Sequence, residues 1–150
     1  MCRRDNEEHR IQVACVDWAK WNEHRFEGLD LLYAIPNGGK RPIKTAIQMK
    51  KEGVRPGIPD LHLPVPRLTY NSLYIETKAK KGRLSKAQKK IFPKLVANGH
   101  RVIVVKSLTD FQLGVCTYLD SIDVNITAGY KPFRHPTGIM DVYLKTRRIG

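Results

Sequence analysis

The chain has 150 residues with 27 Lys or Arg against 14 Asp or Glu, a formal charge of +13, and 41% hydrophobic residues. That length supports one domain with a real core, and no run approaches the roughly 18 apolar residues of a membrane span. The charged start MCRRDNEEHR lacks the apolar centre of a secretory signal, and Cys2, Cys15 and Cys116 form no CxxC, so a disulfide framework and a structural zinc site are disfavoured and a reducing cytoplasm is expected.

The first expected element is a helix over residues 6–24. Asp5 or Asn6 can cap it, Glu7 and Glu8 suit its positive end, and Ile11, Ala14, Cys15 and Trp18 recur at helical spacing toward a core. LLYAIPNGG is a short apolar run closed by a turn. KRPIKTAIQMKKEG then predicts a second helix, with Pro42 near its start and Gly53 as its stop. Ile43, Ala46 and Ile47 form its expected inner face, opposite a basic outer face.

GIPDLHLPV reads as a short strand, and LTYNSLYIETKAK as the hairpin return into a second strand. GRLSKAQKKIFPKLVANG is a third helix with Ser85 as cap and Gly99 past its end; Pro93 should kink or split it by removing a backbone donor. HRVIVVKS is a β-branched run expected to be covered on both faces. LTDFQLGVCTYLD is a fourth helix with Leu108, Phe111, Val115 and Tyr118 inward. The order implies a mixed α/β layer domain over residues 1–120. Residues 121–150 form a Pro- and Gly-punctuated C-terminal extension with one plausible strand over residues 139–144, packed on the domain or at a dimer interface.

The basic charge is concentrated. Residues 78–106 hold ten Lys or Arg and no acid, and residues 40–55 hold six bases against Glu52 alone. Such blocks imply a polyanionic partner, and without an amphipathic basic helix bearing bulky anchors nucleic acid is favoured over a membrane surface. Within LYIETKAK, Glu76 and Lys78 lie two residues apart and point to one side of a strand. The bland reading is an ion pair at a frayed strand end, of about 0–1 kcal/mol when exposed. Asp60, however, opens the preceding strand and can converge with Glu76. Two close carboxylates call for a positive ion between them, and Mg²⁺, with Mn²⁺ as substitute, is the natural one because it accepts few protein oxygens and keeps its waters. Lys78 at the rim can help deprotonate the attacking water and stabilise charge on a pentavalent phosphate.

Pro59-Asp60 followed by Glu76-Thr77-Lys78 resembles the PD-(D/E)xK nuclease pattern, which is loose by itself. NEEHRIQ, PNGGKR, GVRPGIPDL, LYIETKAKKGRLSKAQ and GHRVIVVKS, in that order over residues 7–107, resemble the virus-type replication-repair nuclease (VRR-NUC) family more specifically. The resemblance implies a restriction-endonuclease-like fold, a mixed β-sheet flanked by helices. It also implies metal-dependent cutting of DNA, often branched (Holliday-junction or flap type), in phage-type replication, recombination or repair.

Residue by residue, the resemblance makes Asp60 and Glu76 metal ligands, with the Thr77 backbone carbonyl as a third. Lys78 becomes the active-site lysine, and Gln88 the glutamine that orients the lysine or the attacking water. Glu8 becomes the first-helix glutamate reaching the site directly or through water, with Glu7 an open alternative. Asn37, Gly38 and Gly39 fit a turn where backbone amides approach phosphate. Arg41, Lys44, Arg55, Lys80, Lys81, Arg83 and Lys86 supply the DNA track. His62, two residues past Asp60, is read as a rim residue with metal or phosphate contact as the alternative. Symmetric junction cutting would suit a homodimer, with LLYAI or the final strand at the interface. The rival from another class is a non-catalytic nucleic-acid-binding module, which has no need of Asp60, Glu76 and Lys78 together.

Overall fold

The computed structural model describes residues 3–36, 42–120 and 140–141. The chain runs α1 (Arg3–Asn22), two 3-10 turns (Glu23–Arg25 and Leu29–Leu31), β1 (Tyr33–Ala34), α2 (Ile43–Lys51), β2 (Leu61–Leu63), β3 (Leu73–Thr77), α3 (Lys86–Ala97), β4 (Arg101–Val105), α4 (Leu108–Leu119) and β5 (Met140–Asp141). The strands lie side by side in chain order as one sheet. The β1–β2 and β2–β3 pairs are antiparallel, whereas β3–β4 and β4–β5 are parallel. A parallel pair needs a crossover, and α3 supplies it between β3 and β4. This is the mixed, helix-flanked α/β sheet expected from the sequence.

Strand alternation divides the sheet into two chemically different faces. Leu61, Leu63, Leu73, Ile75, Ile103 and Val105 project to one side, where they pack with Cys15 and Ala19 of α1 and Phe111, Val115 and Tyr118 of α4. Tyr74, Val102 and Val104 project to the other, where Phe92, Leu95 and Val96 of α3 cover them. Phe92 is fully buried, and removing such a side chain from water contributes about 1.5–3 kcal/mol. Asp60 and Glu76 continue this second face as carboxylates, with Glu76 beside Val104 in the β3–β4 register. Burial pushes the Cys15 thiol up to about 12, helped by nearby Asp110, so this cysteine is a packing residue.

Three expectations need correction. Helix α1 begins at Arg3, so Asp5 and Asn6 lie inside it; Arg is a good helix former and nothing stops the helix at the expected cap. Helix α2 buries none of its residues, and Ile43 and Ile47 are exposed, Ile43 by 79%. An apolar stripe at helical spacing predicts a face and says nothing about what meets it. Helix α3 runs through Pro93 as one helix, so the expected split does not occur. The expected strand over residues 139–144 is seen only as β5, and the remainder of the C-terminal extension lies outside the described residues.

Candidate active site

The carboxyl end of β3 gathers the chemistry. One step beyond the Leu61↔Ile75 pair, Asp60 falls opposite Glu76. Asp60 is clamped from both sides. Its backbone carbonyl accepts the Ile35 N–H at 2.7 Å, and its Oδ2 accepts the Thr77 N–H at 2.9 Å and the Thr77 hydroxyl at 2.7 Å. Glu76 is only 1% exposed. Its Oε1 accepts from Lys78 Nζ and from Gln88 Nε2, while its Oε2 is buried and has no hydrogen-bond partner among the described residues.

Gln88 is aimed by the start of α3. Ser85 caps the helix by accepting the Gln88 N–H at 3.2 Å, and the Gln88 amide oxygen accepts the Ser85 N–H at 2.8 Å. This reciprocal capping box occupies one half of the Gln88 amide and turns the other, the NH₂, onto Glu76. The direct partner of Gln88 is therefore the carboxylate of Glu76 rather than Lys78.

Both first-helix glutamates reach the segment after β3, in different places. Glu8 Oε1 accepts the Ala79 N–H and Glu7 Oε1 the Lys80 N–H, each at 3.2 Å. Glu8 also lies 3.9 Å from Lys78 Nζ, so Glu8 is the one facing the site. Gly82 leaves room for this approach: a Cβ there would stand 3.1 Å from Glu8 Oε1, a tight contact that a small shift of the glutamate would relieve.

Gly57 sets the spacing between the Asp60 loop and α3. It has φ +91°, and a Cβ would lie 2.7 Å from the Ala87 carbonyl carbon, which is backbone and cannot step aside. Gly57→Ala is expected to cost about 1–3 kcal/mol in strain, lowering the melting temperature by several degrees. It should also reduce any catalysis that needs Gln88 and Asp60 in register; a thermal melt with a parallel activity assay checks both.

The electrostatics follow from this crowding. Burial raises the Glu76 pKa from 4.5 to about 7, with Asp60 adding to the rise and Lys78 and Gln88 opposing it. Burial alone would lower Lys78, but Glu76 chiefly, then Glu8 and Asp60, outweigh it and raise its pKa, so the ammonium stays charged. Lys78 meets Glu76 at Oε1, and Oε2 has no hydrogen-bond partner among the described residues. An unsatisfied buried charged oxygen costs more than the roughly 1–3 kcal/mol of a neutral one.

That orphaned oxygen tests whether the site suits a cation. Glu76 Oε2, the Asp60 carboxylate and the adjacent Thr77 carbonyl are all hard oxygen donors, the set that Mg²⁺ or Mn²⁺ takes while keeping several waters. No group of three or more His, Cys, Asp or Glu gathers among the described residues, which disfavours a dedicated all-side-chain cage. The residues fit a hard, hydrated divalent ion.

His62 belongs elsewhere. Its Nδ1 meets the Tyr33 hydroxyl at 2.7 Å and its Nε2 meets Ser72 Oγ at 2.9 Å, and Ser72 Oγ in turn meets His100 Nδ1 at 2.7 Å. With both ring nitrogens engaged and its face stacked on Tyr74, His62 ties β1, β2 and β3 together and has no lone pair left for a metal. Of the basic track, Lys44, Arg55, Lys80, Lys81, Arg83 and Lys86 are exposed. Asn37, Gly38, Gly39 and Arg41 lie outside the described residues.

A family model for the VRR-NUC domain matches residues 2–108. The chain belongs to the VRR-NUC family. A solved structure of a VRR_NUC domain protein is similar to it with a TM-score of 0.65 and 25% identity, over 77% of this chain and 90% of that one. No curated protein matches it. The VRR-NUC match spans every residue of the site just described, from Glu8 to Gln88, and brings with it a nuclease-type fold. Among the described residues no helix is long and apolar enough to cross a membrane. The side chain that sequence reading missed is Thr77, whose hydroxyl fixes Asp60; a threonine in a strand otherwise signals only β-propensity.

Proposed function

We propose that this VRR-NUC chain is a metal-dependent DNA endonuclease acting on branched DNA of the junction or flap type. The observation that carries the reading is Glu76: a buried carboxylate with one oxygen held by Lys78 and Gln88 and the other without a hydrogen-bond partner among the described residues, opposite Asp60. Asp60, Glu76 and the Thr77 carbonyl would hold Mg²⁺ or Mn²⁺. When bound, the ion supplies Lewis-acid activation and charge stabilisation for phosphodiester hydrolysis.

The chain's own groups do the rest. Lys78, kept charged by its acidic neighbours, donates toward the non-bridging oxygens as negative charge develops on them in the pentavalent transition state. Gln88 holds Glu76 in place, and Glu8 fixes the turn after β3 through the Ala79 N–H while adding negative potential beside Lys78. Water attacks in line, forming one P–O bond as the bond to the leaving sugar oxygen breaks. A homodimer would bring two such centres to a four-way junction. Edge strand β1, with Leu31 and Tyr33 about half exposed, is one candidate face for it, and residues 121–150 another.

Incubating branched, flapped, nicked and linear DNA with the protein in Mg²⁺, Mn²⁺ or chelator tests the reading. Cutting that requires the cation and favours a branched substrate supports it. Binding without cutting under every condition would favour a non-catalytic module instead. The exposed lysines and arginines make a second expectation. If six to eight of them meet phosphates, a plot of log affinity against log salt has a slope of roughly −5 to −7. A slope near −2, measured by fluorescence anisotropy, would remove most of the track.

A further inference from the structure

We infer that Thr77 is a positioning residue for the cation site, acting through the carboxylate of Asp60; the inference rests on the nuclease reading above. Both of its polar donors converge on one oxygen: the N–H reaches Asp60 Oδ2 at 2.9 Å and the hydroxyl reaches the same atom at 2.7 Å. Neither donor reaches Oδ1. Two hydrogen bonds from one residue to one carboxylate oxygen restrict how the group can turn, and they leave Oδ1 unengaged by Thr77 as the oxygen that would meet a cation held with Glu76 Oε2.

The geometry of the strands explains why this task falls to residue 77. Asp60 stands opposite Glu76 in the β2–β3 register, so its carboxylate reaches diagonally past Glu76 to the next residue of β3. Thr77 is itself 2% exposed, so water does not compete for its hydroxyl. The Asp60 main chain is held independently by the Ile35 N–H. The backbone is thus anchored by the residue that follows β1 and the carboxylate by β3, and only the latter anchor depends on a side chain. Thr77 also carries the backbone carbonyl proposed as a cation donor. One residue therefore sets the relative placement of two donors, which couples their geometry.

The chemistry distinguishes this role from packing. Valine matches threonine in shape and β-propensity but has no hydroxyl; serine keeps the hydroxyl and loses the methyl group. If Thr77 only fills space, valine is the milder change. If it orients Asp60, serine is.

The test is Mn²⁺ binding to the purified full chain without DNA, followed by electron paramagnetic resonance of the free ion, for the natural protein, Thr77→Val and Thr77→Ser. Cleavage against Mn²⁺ concentration is measured in parallel. Thr77→Val is expected to weaken Mn²⁺ binding by roughly tenfold or more and to shift the cleavage midpoint by a similar factor, with cutting recovered at high Mn²⁺. Thr77→Ser should stay within about threefold of the natural chain, on the same outer-shell scale. Equal Mn²⁺ affinity for Thr77→Val and the natural protein, or a weaker site in Thr77→Ser than in Thr77→Val, overturns the assignment while leaving the nuclease reading intact. Failure of the natural protein to bind Mn²⁺ overturns both.

Discussion

Asp60→Asn and Asp60→Ala proteins are expected to bind branched DNA about as tightly as the natural chain and to cut it slower by on the order of 10³-fold or more. Binding is expected to survive because the bases proposed to meet phosphate are on other segments, at Lys44, Arg55, Lys80, Lys81, Arg83 and Lys86, all of them exposed. Removing a negative charge from their neighbourhood does not weaken them. Cutting is expected to fail because one of the two carboxylates proposed to hold the cation is gone. Asparagine is the more informative variant. Its amide oxygen can still accept both Thr77 donors, so the fold around Oδ2 is kept and the lost charge is isolated. Lys78→Ala should also abolish cutting, but with a lower melting temperature, because Glu76 then loses the ammonium that offsets its burial. Gel shift and cleavage on the same substrate separate the two effects. Full cleavage by purified Asp60→Ala would remove Asp60 from the mechanism.

In chelator, the natural protein is expected to lose stability as pH rises from about 4.5 to 7 at its Glu76 site, and to regain it on adding Mg²⁺ at pH 8. The sign follows from the raised pKa. Glu76 titrates near 7 when folded and near 4.5 when exposed, so within that window the native state holds a proton that the unfolded chain has released. Stability then falls with rising pH and the effect levels off above about 7. Lys78 does not contribute there, since its pKa is raised from an already high 10.5 and it keeps its charge throughout. The cation reverses the cost by giving Oε2 the partner it lacks. At about 100 times its dissociation constant it adds roughly 2.7 kcal/mol, several degrees of melting temperature for a domain this size. Glu76→Gln should flatten the pH dependence and remove most of the Mg²⁺ response. Melts at pH 5 and pH 8, with and without Mg²⁺, check both parts.

Much of this architecture was written in local pattern. The period-2 alternation of LYIETKAK placed Tyr74, Glu76 and Lys78 on one side, and the fold uses that side for α3 packing and then for the site. Ser85 three residues before Gln88 is a capping box in the sequence, and the same box points the glutamine at Glu76. What could not be read was anything set by tertiary placement. Ile43 and Ile47 have the spacing of an inner face, but periodicity does not say whether a body lies beneath, and here they are exposed. Glu7 and Glu8 were indistinguishable because both reach the turn after β3; only the path of that turn gives Ala79 to one and Lys80 to the other. The hydroxyl of Thr77 acquires its role from a diagonal reach across two strands, which depends on a register that no single segment specifies.

The most direct measurement is a crystal structure of the protein soaked in Mn²⁺, with anomalous differences collected to locate the ion. A peak bonded to Asp60 and to Glu76 Oε2, with the Thr77 carbonyl in reach, is the predicted result. A well-ordered Asp60 and Glu76 with no peak between them, or with Mn²⁺ bound only elsewhere, would contradict it.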